Sequence, residues 1–241
     1  LYSVLSTFIN QYDYKVEGRS NPKDAFDLKF GVQQLGAKLD FKFNPNNKHD
    51  INFGVQHLLY TVRPGERQPL DASSLVGPLK VQEEKATETS VYLGDQYALT
   101  DNLSVQAGIR YSFYRNVGPQ NVYQYAPGEP RNETTVIDSV QFGKGDLVQS
   151  YHGPEFRLSA KYLLGDKSSL KFSYNTLRQF IHVITNTTAI SPTDIWKLSD
   201  QYIKPQLGQQ ISLGFYTNPG NKGLELSVEA YYKVSKNYLD Y

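Results

Sequence analysis

Four short turns, set roughly 55 to 65 residues apart between long alternating segments, constrain this chain more than any other feature. They are Asn44-Pro45-Asn46-Asn47-Lys48, Thr100-Asp101-Asn102, Gly165-Asp166-Lys167-Ser168 and Asn218-Pro219-Gly220-Asn221-Lys222. The connections between them are long and rich in proline and glycine, as in Arg63 to Glu83 and Asn116 to Gly153. Short turns at one end of the strands and long loops at the other form the pattern of an outer-membrane β-barrel.

The segments beside the turns alternate with period two, which gives strands one apolar and one polar face. Leu103, Val105, Ala107, Ile109, Tyr111 and Phe113 alternate with Ser104, Gln106, Gly108, Arg110, Ser112 and Tyr114. The same pattern runs through 37–43, 51–56, 155–162, 211–216 and 224–235. The alternation predicts about nine strands, at roughly 2–16, 32–43, 49–62, 85–99, 103–116, 154–164, 169–185, 208–217 and 223–238, and no helix. Most exceed the roughly 5 to 6 residues usual for soluble strands, whereas a tilted membrane-crossing strand needs about 9 to 11. On two strands a charge shares the apolar face, Asp95 with Val91, Leu93 and Tyr97, and Arg178 with Leu170, Phe172, Tyr174 and Phe180, so a bulge or change of face is expected there.

Composition narrows the classes further. A net charge of +1 gives no field for nucleic acid. There are no cysteines, so no disulfide framework or thiolate metal site is available. Mean hydropathy is −0.52 and no apolar run reaches the length of a spanning helix, which leaves strands as the only way across a bilayer. Aromatics supply 13% of residues, 19 of them tyrosine, a side chain suited to membrane interfaces. Phe43, Tyr97, Tyr162 and Phe215 lie just before short turns, and Phe113, Phe180 and Tyr232 lie about ten residues beyond one, a tilted rise of roughly 23 Å. These seven are expected in two aromatic girdles flanking an apolar band about 25 Å tall.

No nucleophile elbow, phosphate loop, dinucleotide fingerprint or zinc-protease motif occurs, and the four histidines lack metal-ligand spacing. No catalytic, cofactor or metal residue is therefore assigned. The polar strand faces carry Lys38, Asp40, Lys42, Arg110, Glu155, Arg157, Lys161, Glu225, Glu229 and Lys233. In a barrel these line the lumen, as wall ion pairs or as a substrate path; in a soluble sandwich they are a solvated surface. Trp196 falls in a loop at the far rim, as a packing anchor or a ligand contact.

Two stretches resemble a known family. Tyr92 to Tyr111, with Tyr92-Leu93-Gly94-Asp95, the turn Thr100-Asp101-Asn102-Leu103 and Ala107-Gly108-Ile109-Arg110-Tyr111, is similar to a barrel hairpin of TonB-dependent outer-membrane receptors. Asp194-Ile195-Trp196, Ile203-Lys204-Pro205-Gln206 and Ser212-Leu213-Gly214-Phe215-Tyr216 resemble the distal barrel of Bacteroidetes-type members. The resemblance implies an antiparallel up-and-down barrel of 22 strands, closed by an N-terminal plug, that imports a bulky nutrient such as a siderophore or glycan with energy from the TonB complex. Residues 1–241 would be part of that barrel domain, with the plug, the TonB box and the remaining strands outside them. The implied setting is a Gram-negative outer membrane, with its lipid as a partner and, in a receptor of the SusC kind, a SusD-like surface lipoprotein as well. The residues alone also leave open a soluble β-sandwich used for binding or adhesion, which would bury its apolar faces on a second sheet, and a diffusion porin or complete small barrel, which would close its first strand onto its last.

Overall fold

A computed structural model describes residues 1–184, 195–220 and 223–239. Its strands are β1 Tyr2–Gly18, β2 Phe26–Phe43, β3 His49–Pro69, β4 Leu79–Lys80, β5 Glu84–Ala98, β6 Leu103–Val117, β7 Gln120–Tyr125, β8 Val136–Phe142, β9 Leu147–Leu163, β10 Ser168–Gln179, β11 Ile181–Ile184, β12 Ile195–Leu198, β13 Gln206–Thr217 and β14 Leu226–Lys236. Two 3-10 turns, Pro22–Asp24 and Glu133–Thr135, are the helical elements among the described residues. None is long and apolar enough to cross a membrane.

The main sheet is antiparallel, in the order β1-β2-β3-β5-β6-β9-β10-β13-β14, with β4 paired to β3. The nine strands of that order are those the alternation predicts. The chain winds up and down because each short turn has its own local bonds. The Asn46 side chain accepts from the amides of Lys48 and His49, at 2.9 and 3.2 Å. The Thr100 hydroxyl accepts from the amide of Leu103 at 3.0 Å. Gly165 and Gly220 hold the positive φ, +100° and +96°, that the other two turns require. Part of the fourth turn, Asn221 and Lys222, lies outside the described residues, as do Asp194 and Asp240 to Tyr241.

Register keeps each face uniform, because a period of two allows no slip. One apolar row runs Phe41–Phe53–Leu93–Ile109–Phe156, and another runs Leu103–Tyr162–Leu170–Phe215–Val228. These side chains are open to the surroundings: Leu93 is 53% exposed, Ile109 44% and Leu213 56%. No second sheet covers this face among the described residues, so the sandwich reading fails. The first and last strands of the sheet do not pair, so a complete small barrel is not formed by this segment.

Several expectations are corrected. Val91 to Leu99 holds no bulge: β3 and β5 stay in register throughout, and Asp95 remains on the apolar face, where His49 Nδ1 meets its carboxylate at 2.6 Å. The irregularities of the main sheet fall instead at Asn116 and Val117, against β9, and where β3 places Pro64 and Gly65 opposite Phe30. The bulge at Pro64 absorbs a proline that would otherwise end the strand, so β3 reaches Pro69. The long loop from Asn116 contains the β7–β8 hairpin, and β9 begins already at Leu147. The strand expected at 169–185 ends at Gln179, and β11 turns away to pair with β12.

Candidate functional site, the polar wall

The polar faces of β2, β3, β5, β6 and β9 carry a continuous network. It starts where Lys38 pairs with Asp40 at 2.8 Å and the Tyr92 hydroxyl donates to the same carboxylate. Lys38 and Arg110 both lie against the Tyr92 ring, 5.4 and 5.9 Å from its centroid. Arg110 donates to Gln56 at 2.8 Å and to the Ser90 hydroxyl at 2.7 Å, and its guanidinium lies 3.6 Å from Glu88. Ser90 bonds Ser112 at 3.2 Å, and Ser112 donates to Glu155 at 2.8 Å. On the other side of Glu88, the Tyr60 hydroxyl donates to it at 3.0 Å.

Cross-strand register builds this row. Asp40, Gly54, Tyr92, Arg110 and Glu155 are successive partners across five strands. Gly54 is the enabling residue: a Cβ there would strike the Tyr92 ring and the Leu39 carbonyl, so only glycine lets the ring lie flat along the wall. Below this row a cavity of about 340 Å³ opens, lined by Lys38, Asp40, Tyr92, Arg110 and Arg157 among others. The wall can thus offer fixed positive and negative groups, tyrosine faces and amide donors to a polar solute moving past it.

Of the ten polar residues expected on this face, Lys38, Asp40, Arg110, Glu155 and Arg157 converge here. Lys42 is nearer the turn and pairs with Asp50 at 2.7 Å. Lys161 stands beside Lys171 across the β9–β10 ladder. Farther along, Glu229 accepts from the Tyr216 hydroxyl at 2.7 Å and Lys233 faces Gln210. Glu225 is exposed and stands one residue before β14, outside the ladder. Sequence reasoning missed Tyr92, Gln56, Ser90, Ser112 and Glu88. Their parity was the available signal, since each shares a face with the expected residues.

At the loop end the polar face becomes a packed core. Leu58, Tyr60, Val62, Ala86, Tyr114, Phe180 and Leu198 form one cluster, with Trp196 packed against it. The β11–β12 hairpin lies on this inner surface. Lys197 pairs with Glu84 at 2.5 Å and Asp200 at 3.2 Å, and the Leu198 amide donates to Glu84 at 2.8 Å. Tyr114 and Tyr151 donate to the carbonyls of Ser199 and Asp200, at 2.8 and 2.7 Å. Burial opposes the charge of Lys197, but Glu84 and Asp200 outweigh it and hold its pKa above the ordinary lysine value. Burial lowers the pKa of His182 below the ordinary imidazole value, against the pull of Asp200, and its Nε2 is 2.8 Å from the Ser199 hydroxyl.

Phe180 is therefore corrected as a girdle candidate. It is 4% exposed and belongs to this inner cluster, because the chain turns inward once β10 ends. The other six, Phe43, Tyr97, Phe113, Tyr162, Phe215 and Tyr232, stand on the apolar face. Above the hairpin lies a larger cavity of about 1010 Å³, between the β7–β8 hairpin and the stretch after β12. Tyr123, Tyr125 and Tyr202 contribute to its walls, and Arg131 stacks over Tyr202 at 4.3 Å. No group of three or more His, Asp or Glu able to hold a metal occurs among the described residues.

This geometry agrees with what the chain is similar to. A family model described as TonB dependent receptor-like, beta-barrel matches residues 2–241, and the chain belongs to that family. Among solved structures, the copper transporter OprC aligns with a TM-score of 0.65 at 12% identity, over 97% of this chain and 36% of that one. The FrpB iron transporter from Neisseria meningitidis aligns at 0.58 and 11%, over 95% and 33%. The ferric yersiniabactin uptake receptor FyuA from Yersinia pestis aligns at 0.57 and 13%, over 97% and 33%. The chain therefore spans about a third of the length of these receptors, and at such identities the likeness is one of fold. No curated protein matches the sequence. The family is one of outer-membrane receptor barrels.

Proposed function

We propose that this segment is part of the wall of a Gram-negative outer-membrane importer, and that residues 1–241 are one portion of its barrel domain. The whole receptor captures a scarce, bulky nutrient at its long loops and passes it through the lumen when the TonB complex displaces a plug. One observation carries this reading: an exposed apolar face and a continuous polar network lie back to back on the same strands, with a loop-end cavity above the polar side. Lys38, Asp40, Arg110 and Arg157 then border the solute path, and Lys42, Glu155, Lys161, Glu229 and Lys233 belong to the charged lumen wall. The six outward aromatics sit at the membrane interfaces, and Trp196 anchors the inner hairpin. The solved neighbours are a copper transporter, an iron transporter and a ferric yersiniabactin receptor, which supports a metal complex as cargo. The Ile195-Trp196 and Lys204-Pro205-Gln206 stretches favour a Bacteroidetes-type receptor, in which a surface lipoprotein of the SusD kind caps the loops.

The test is accumulation of copper, ferric siderophores, haem and oligosaccharides by cells carrying the intact receptor, with and without a protonophore. One class entering only energised cells supports the reading. Entry of all classes regardless of energisation is the behaviour of an open pore and sinks it.

A further inference from the structure

The polar face of β9 and β10 carries three cations that the wall does not neutralise. Arg157, Lys161 and Lys171 are exposed, and none of them makes an ion pair among the described residues. Lys161 and Lys171 stand directly opposite each other in the β9–β10 ladder, an arrangement of like charges that costs stability. The acids of the same face are held elsewhere. Lys38 and Tyr92 hold Asp40, Lys42 holds Asp50, and Arg110 and Tyr60 hold Glu88. Glu155 accepts from the Ser112 hydroxyl, and Glu229, separated from Lys171 by Gly214, accepts from that of Tyr216.

Arg157 borders the cavity of about 340 Å³, and register shows how that cavity is framed. Its floor is the cross-strand pair Gly94 and Gly108. Tyr92 and Arg110 form the next pair on this face toward the loops, and Gln96 and Gln106 the next toward the turns. Asn52 and Arg157 flank the floor on the two neighbouring strands. Packing does not call for glycine at the floor. A Cβ at Gly94 or Gly108 would come no closer than 3.4 or 3.5 Å to its neighbours, which is ordinary contact and unlike the collision at Gly54. Neither glycine holds a positive φ. The floor is thus bare backbone with room above it. Around it Asp40 and Glu88 offset Lys38 and Arg110, and the charge of Arg157 is left in surplus.

We propose that this niche, continued toward the turns by Lys161 and Lys171, is a binding track for the carboxylates of a polyanionic solute. It rests on the reading of the polar face as lumen wall and names the solute chemistry that this face selects. The planar fork of Arg157 takes a carboxylate through two parallel N–H bonds. Gln96, Gln106 and Asn52 offer amide donors and acceptors to hydroxyls beside that carboxylate. The bare floor lets the group lie against the wall. Lys161 follows four residues nearer the turn, about 13 Å along the strand, so a solute with several carboxylates reaches the second cationic point before it leaves the first. A passing anion also relieves the repulsion between the two opposed lysines.

Gly108→Cys places a thiol on the floor, where the backbone leaves space for it. In cells carrying the intact receptor, energised or treated with a protonophore, its modification is timed with anionic, neutral and cationic methanethiosulfonate reagents, against the unsubstituted receptor as background. Relative to a free thiol, the anionic reagent is expected to gain roughly eightfold over the cationic one. Adding Arg157→Gln removes most of that gain, and Arg157→Lys keeps it. Citrate, added at constant ionic strength, is expected to slow the neutral reagent severalfold, which charge screening cannot do. Arg157→Gln, Lys161→Gln and Lys171→Gln together abolish this protection. Lys171→Gln alone carries the test if the triple variant does not fold, with partial loss of protection. No preference among the reagents, protection that survives these substitutions, or equal protection by inorganic phosphate overturns the proposal. A thiol that no reagent reaches overturns it too, because protein then fills the niche. Dyes at Leu93→Cys and Ile109→Cys, the outward neighbours of the floor, report separately on the barrel reading. Quenching there by a lipid-phase quencher without anion preference at the floor sinks the track alone, and absence of quenching sinks the lumen wall itself.

Discussion

Tyr114 and Phe180 lie face to face, with ring centroids 4.5 Å apart and planes within 3°, and this stack joins the barrel wall to the hairpin folded against its inner side. Both rings are buried, at 0% and 4% exposure. Phe180→Ala removes one ring from a closed cluster, and such truncations cost about 3 to 5 kcal/mol. The loss is expected to stay local. Hydrogen exchange in the intact receptor is expected to rise at Ile181–Ile184 and Ile195–Leu198 while β6 remains protected.

Glu84 is the second fastening, since it meets both the Lys197 ammonium and the Leu198 amide. Glu84→Gln leaves Lys197 partly buried with Asp200 as its remaining carboxylate, an expected loss of about 2 kcal/mol in hairpin docking. Glu84→Gln combined with Lys197→Met removes the stranded charge as well. The double variant is expected to dock better than the single one, read by protease resistance of the hairpin; equal sensitivity would refute the ion pair's role.

Acidification is expected to loosen the same hairpin. Burial lowers the pKa of His182 in the folded state, so the undocked form binds more protons wherever the imidazole titrates. Docking therefore keeps its full stability above the ordinary histidine value of about 6.5 and loses it as pH falls through and below that value. Asp200 opposes the effect without reversing it. Proteolysis of the hairpin, compared between pH 7.5 and 5 and against His182→Gln, checks the sign: the variant is expected to show a flat profile.

Gly54→Ala is expected to displace Tyr92. The added methyl meets the tyrosine ring and the Leu39 carbonyl, one of which is backbone and cannot yield. Overpacking of this kind costs about 1 to 3 kcal/mol. A lower midpoint of barrel unfolding is expected, restored in part by the second change Tyr92→Ser, which removes the obstructing ring along with its bond to Asp40. Failure of that rescue would mean that the ring is not what Gly54 accommodates.

The wall was legible in the sequence because alternation is a property of each strand by itself. Leu103 to Phe113 announce their face without knowledge of any neighbour, and register then brings Asp40, Tyr92, Arg110 and Glu155 into one row. Parity stops informing where pairing stops. Phe180 continues the apolar parity of β10, yet β10 leaves β9 after Asn175, and the ring goes inward. Pro64 and Gly65 read as the end of a strand because a bulge that accommodates them depends on the opposite strand. The inner hairpin was illegible for a similar reason. Its strands have four residues each, and what fixes them, Glu84 and Tyr114, lies far away in sequence.

The seventeen-pair register between β1 and β2, repeated with few breaks across the sheet, has a mechanical consequence. Sliding one strand past the next would shear its whole row of hydrogen bonds together, so the wall behaves as a stiff plate under load. The β7–β8 and β11–β12 hairpins belong to separate two-stranded sheets, each with few bonds to break. Work done on this molecule by a pulling force is thus absorbed by those hairpins, and the plate they rest on keeps its shape.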